Sequence, residues 1–116
     1  MSSVVMYHNP RCSKSRSTLE LLESRGIRPV VVEYLKTPPT AEELKAILVK
    51  LGMAPRDLMR KKEPPYKALG LDDPGLSDDA LIEAMAANPI LIERPIVVKG
   101  DKAALGRPPE AVLEIL

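Results

Sequence analysis

Tryptophan and phenylalanine are absent from this chain, and only three tyrosines are present. The core must therefore be assembled from Leu, Ile, Val, Ala and Met, with little help from aromatic rings. Cysteine and histidine occur once each, as Cys12 and His8. A lone cysteine excludes an internal disulfide, and Cys12 with His8 falls short of the ligand set of a zinc site. No sign of charge prevails, because 17 Lys and Arg face 16 Asp and Glu for a net charge of +1. That balance excludes the strongly basic footprint with which proteins hold a nucleic-acid backbone. No apolar run approaches the roughly 18 residues of a membrane span. The opening Met1-Ser2-Ser3-Val4-Val5-Met6 lacks the basic and apolar regions of a secretory signal. The expected setting is the cytoplasm, with neither membrane nor nucleic acid as partner.

What is present fits one folded domain over residues 1–116: 45% hydrophobic and 28% charged residues are near the globular average. Twelve prolines and six glycines predict short, firmly punctuated elements. Val4-Val5-Met6-Tyr7 reads as a buried strand, residues 13–25 as a helix closed by Gly26, and Val30-Val31-Val32-Glu33-Tyr34 as a second buried strand. Such a βαβ unit makes the two strands parallel. Thr40-Ala41-Glu42-Glu43 is a capping box that opens a helix with Leu44, Ile47, Leu48 and Leu51 on one face, ended by Gly52. A short helix is expected near Pro55. Ser77 is a natural N-cap for residues 78–87, which Asn88-Pro89 stops, and residues 61–65 read as a loop within the domain. Ile96-Val97-Val98-Lys99, the turn Gly100-Asp101 and Ala103-Ala104-Leu105 form an antiparallel hairpin. A final helix opens at Pro108-Pro109. The order βαβ, helical stretch, ββα predicts an α/β domain with helices on a mixed sheet.

The informative segment is His8-Asn9-Pro10-Arg11-Cys12-Ser13-Lys14-Ser15-Arg16. It places the cysteine between a strand and a helix N-terminus, where free amides and the macrodipole favour an anion. Arg11, Lys14 and Arg16 flank it, and His8 would add a fourth charge across the loop. A buried cysteine acting as a small hydrophobe gains nothing from such neighbours, whereas a nucleophilic thiolate needs them. His8 reads equally as a solvated loop residue or as a neighbour of the sulfur. Ser15 stands where a C-x-x-C motif has its second cysteine, so a resolving thiol must come from outside.

This segment, continued by Ser17-Thr18-Leu19, resembles the signature of the glutaredoxin-coupled arsenate reductases. Further blocks resemble that family in the same order. They are Leu58-Met59-Arg60, Glu63-Pro64-Pro65-Tyr66-Lys67-Ala68-Leu69-Gly70-Leu71, Leu91-Ile92-Glu93-Arg94-Pro95-Ile96-Val97-Val98 and Leu105-Gly106-Arg107-Pro108-Pro109. Ser13-Lys14, Ser17 and Pro64 depart from the commonest pattern, and none is a reacting group. The resemblance implies a single thioredoxin-like domain with a helical insertion over about residues 40–87. It implies Cys12 as nucleophile, Arg60, Arg94 and Arg107 as oxyanion ligands, and a cis bond before Pro95; His8 and Ser15 join Cys12 as candidate catalytic residues. The implied activity is reduction of arsenate to arsenite by a monomer with no bound cofactor or metal, using glutathione as co-substrate and glutaredoxin as partner. Guanidinium forks suit that work, because they pair bidentately with a tetrahedral oxyanion. Two other readings use the same fold: a glutathione-dependent reductase of another small oxidised substrate, and a redox-responsive regulator that binds RNA polymerase. The second usually carries a C-x-x-C switch, which Ser15 removes.

Overall fold

The β-branched run at the start of the chain forms strand β1, Val4–His8, and the following turn leads into helix α1, Ser13–Ser24. A computed structural model describes residues 3–116. Helix α1 ends where Gly26 takes a φ of 75°, which lets its own amide and that of Ile27 return to the carbonyls of Glu23 and Leu22. Strand β2, Val30–Glu33, follows and pairs parallel with β1, Met6 opposite Val31. Strands β3, Ile96–Lys99, and β4, Lys102–Leu105, form the expected hairpin, with β3 antiparallel to β1. The sheet order is β2-β1-β3-β4. This is the mixed sheet of a thioredoxin-like βαβ and ββα arrangement.

The chain divides into two compact units, one holding residues up to Thr37 together with Arg94–Leu116, the other Pro38–Glu93. In the first, Met6, Leu22, Val97 and Val112 are fully buried, with Leu19, Ile27 and Ala104 packed around them. Burial of each such side chain contributes about 1.5–3 kcal/mol, which explains how a core without Trp or Phe holds together. In the second, Thr40 caps α2, Ala41–Leu51, through the reciprocal bonds of the capping box, each 3.1 Å long. Ser77 accepts from the Ala80 amide at the start of α5, Asp78–Ala87. The faces carrying Leu44, Ile47 and Leu48 on α2, and Leu81, Ile82 and Met85 on α5, are buried as the helices pack together. Helix α3, Pro55–Leu58, packs on α5 as well.

Three expectations need correction. Strand β2 is not buried: Val30 is 57% and Val31 42% exposed, because β2 forms the edge of the sheet and its valines reflect strand propensity rather than burial. Residues 61–65 are not all loop, since Pro64 and Pro65 open helix α4, Pro64–Ala68. Proline in a first turn forfeits no helical bond, and Tyr66 anchors the segment by burial and by a 2.8 Å bond from Arg56 Nη1. The final helix is a 3₁₀ helix, Pro109–Ile115, whose tighter winding buries Val112. A shorter 3₁₀ turn, Pro89–Leu91, follows α5. Among the described residues no helix is long and apolar enough to cross a membrane.

Gly106 marks a close approach within the first unit. A Cβ there would fall onto Thr18 Oγ1 and lie 2.7 Å from Pro95 Cγ. Neither neighbour yields easily: Thr18 is fully buried with its hydroxyl donating to the Lys14 carbonyl at 2.8 Å, and Pro95 is a buried ring. Gly106→Ala is therefore expected to cost about 1–3 kcal/mol of stability as an overpacked site, read as a lower urea midpoint at constant m-value. An unshifted midpoint would show that the segment moves aside freely.

Candidate active site

Cys12 is the residue that precedes α1, in extended conformation with φ −93° and ψ 124°, and its side chain is partly exposed. The turn that delivers it is held from within. The Cys12 amide donates to the Asn9 carbonyl at 3.0 Å, and the Arg11 amide donates to Asn9 Oδ1 at 3.0 Å. The sulfur is thus carried beside the first amides of the helix, which have no intrahelical acceptor. The first turn of α1 holds no acidic residue, while Arg11, Lys14 and Arg16 are exposed around it. The local field favours an anionic ligand brought to this loop.

His8 ends β1 and is only 6% exposed, so it is not a solvated loop residue. Its Nδ1 lies 2.6 Å from Ser15 Oγ, and the Asn9 amide donates to the same hydroxyl at 3.0 Å. Ser15, fully buried, therefore ties the end of β1 to the first turn of α1 and closes the loop that presents Cys12. Burial pushes the His8 imidazole below its ordinary value of 6.5. Glu33 pulls it up and Arg16 adds a further downward push, and burial prevails. The imidazole is neutral near pH 7 and is not the fourth cation that the sequence pattern suggests.

The sign of that shift fixes a pH dependence. The unfolded chain takes up the proton near 6.5 and the folded chain only at lower pH, so stability is complete above 6.5 and falls as the pH drops toward the folded value. Urea unfolding at about pH 7.5 and about pH 5.5 is expected to show this loss in the wild type and a smaller one in His8→Asn, which cannot titrate. Equal losses would mean that His8 titrates alike in both states.

The arginines are distributed between the two units. Arg94 and Arg107 belong with Cys12 in the first, each preceding a cis proline, Pro95 and Pro108. The Arg107 Nη1 donates to the Arg94 carbonyl at 3.0 Å, so the two segments lie side by side. Gly106, next to Arg107, lies against both Pro95 and Thr18 of α1, the helix that Cys12 precedes. Arg60 lies in the second unit, 24% exposed, where Nη1 meets Glu63 at 3.0 Å and Nε meets Glu93 at 3.7 Å.

Two features escaped the reading of the sequence. The pairing of His8 with Ser15 spans seven positions across a strand-to-helix junction, and no periodicity marks it. Arg56 donates to Tyr66 Oη, to the Leu71 carbonyl at 2.6 Å and to the Asp73 carbonyl at 2.8 Å, pinning the chain beyond α4. Its targets are mainly backbone oxygens far along the chain, which leave no trace in composition.

The family model described as ArsC family matches residues 7–115. Among known proteins, one named arsenate reductase from Neisseria meningitidis is 55% identical over 117 residues, covering 100% of both chains. The uncharacterized protein YfgD of Escherichia coli is 59% identical over 97% of this chain and 96% of its own. A solved structure of an arsenate reductase from Vibrio cholerae superposes with a TM-score of 0.96 at 60% identity, covering 99% of this chain and 98% of that one. A cysteine-bearing loop at a helix N-terminus, a thioredoxin-like sheet and matches that run nearly from end to end agree, and the chain belongs to the ArsC family.

Proposed function

We propose that this protein reduces arsenate to arsenite through an intermediate in which Cys12 is joined to arsenic, with glutathione and glutaredoxin supplying the electrons. The observation that carries the reading is Cys12 at the start of α1, in a first turn without acidic residues and among three exposed cations. Full-length similarity to proteins named arsenate reductase supports arsenate as the substrate.

The reaction starts as the Cys12 sulfur displaces one arsenate oxygen, which leaves as water after protonation; arsenic stays pentavalent. Glutathione sulfur then displaces a second oxygen, again as water. A glutaredoxin thiolate attacks that glutathione sulfur, forming a mixed disulfide and breaking the sulfur–arsenic bond, whose electron pair stays on arsenic and makes it trivalent. Water releases arsenite and returns Cys12 as a thiol. Two external thiols become one disulfide, which matches a chain in which Ser15 stands in the place of a resolving cysteine. Such chemistry belongs to a reducing compartment, the cytoplasm.

Arg94 and Arg107 serve as oxyanion ligands that offset repulsion between thiolate and arsenate. Arg60 is assigned the same role on the resemblance of its motif alone. Neutral His8 acts with Ser15 by fixing the loop, and no charge on the imidazole is required.

The test is NADPH consumption with arsenate, glutathione, glutathione reductase and glutaredoxin. Turnover that needs every component is expected. Consumption that persists without arsenate, or never begins with it, would pass the assignment to a reductase of another small oxidised substrate.

A further inference from the structure

A pocket of about 180 Å³ opens on the β2 side of the cysteine loop, lined by residues 8–11 and by Glu33, Leu35 and Lys36. All of them belong to the first unit. Its walls carry charge of both signs. Arg11 is exposed, and among the described residues its guanidinium has no hydrogen-bond or ion-pair partner. The Lys36 side chain is 78% exposed, with Nζ 3.7 Å from Glu33 Oε1, a loose pair that leaves most of its donor capacity open. Leu35, 41% exposed, adds an apolar patch. Arg11 lines the pocket and immediately precedes Cys12, so a ligand held there lies on the loop that carries the nucleophile.

We propose that this pocket binds one arm of a small zwitterionic peptide thiol, with carboxylate on Arg11 and Lys36 and ammonium on Glu33, and so selects the thiol that exchanges with Cys12. The volume suits one arm and not the whole molecule. In a peptide whose sulfur lies at its centre, an arm anchored at Arg11 leaves the thiol to reach Cys12. Two cations against one carboxylate suit a ligand with net negative charge, and Glu33 separates a zwitterion from a plain anion. The inference rests on Cys12 as a thiol-exchanging nucleophile, part of the function proposed above, and not on arsenate.

The test therefore omits arsenate. Reduced protein is mixed with oxidised glutathione, with the neutral bis(2-hydroxyethyl) disulfide, or with the dianionic dithiodipropionate, and the mixed disulfide on Cys12 is followed by mass spectrometry. In each case the Cys12 thiolate attacks one sulfur, the S–S bond of the reagent breaks, and its other half leaves as thiolate. Cys12 is oxidised as the leaving sulfur is reduced. Wild type is expected to react with oxidised glutathione about tenfold faster than with the neutral reagent, a difference worth about 1.4 kcal/mol. Lys36→Glu should lower that ratio at least fivefold, and Glu33→Gln should narrow the advantage of glutathione over the dianion. A glutathione-to-neutral ratio that survives Lys36→Glu overturns the proposal. So does a dianion that reacts as fast as glutathione in the wild type, since charge alone would then explain the selection. Loss of arsenate turnover with the ratios intact would instead condemn only the assigned substrate.

Discussion

Cys12→Ser is expected to reduce arsenate reduction to the uncatalysed background while the protein remains folded. Serine fills the same partly exposed position before α1 and is a better cap than cysteine, so the helix keeps its start. What is lost is the chemistry. A hydroxyl is not ionised near neutral pH, is a poor nucleophile without an adjacent base, and cannot exchange with a thiol. His8, the nearest candidate base by sequence, is engaged through Nδ1 with Ser15 and buried. The effect should therefore equal the whole enzymatic rate, not a fraction of it. The measurement is arsenite formation under the coupled assay, with circular dichroism as the control for folding. Arsenite produced by the variant above background would remove Cys12 from the reaction.

The second large effect belongs to the arginines. Arg94→Ala and Arg107→Ala should each lower kcat/KM for arsenate by about 10²- to 10³-fold, the usual result of removing one preorganised donor to an oxyanion. Alkylation of Cys12 by a neutral reagent should be retained, which separates loss of anion binding from loss of the thiol. Phosphate or sulfate should slow that alkylation in the wild type and do so less in the variants. Arg→Lys should rescue only in part, since an ammonium keeps the charge without the fork. Arg60→Ala belongs in the same series, but it also removes a cation that pairs with Glu63 and Glu93, so its stability must be measured alongside. Alanine variants that all keep wild-type efficiency would end the oxyanion assignment and favour another oxidised substrate.

Much of the architecture was readable because its determinants are local. Thr40 with Glu43, Ser77 before Asp78, and Gly26 after α1 act within one helical turn, and each does what its residue type dictates. The loop around Cys12 was legible for the same reason: strand, Asn-Pro turn and helix start are contiguous. What stayed hidden depends on partners distant in sequence. The valines of β2 look like a core strand until the sheet order places them at an edge. Pro64 and Pro65 look like the end of a loop until Arg56 and burial fix Tyr66 in the helix they open. The charge on His8 is a sum over burial, Glu33 and Arg16, and only a folded chain sets those terms against one another.

The buried hydroxyl of Ser15 also bears on how this lineage can change. One codon substitution at that position would create a C-x-x-C chain carrying its own resolving sulfur. The same substitution would replace the hydroxyl that bonds His8 and receives the Asn9 amide by a thiol, a weak donor and weak acceptor. Ser15→Cys would thus place a second sulfur three positions after Cys12 and, in the same step, weaken the fastening of the loop that carries the first.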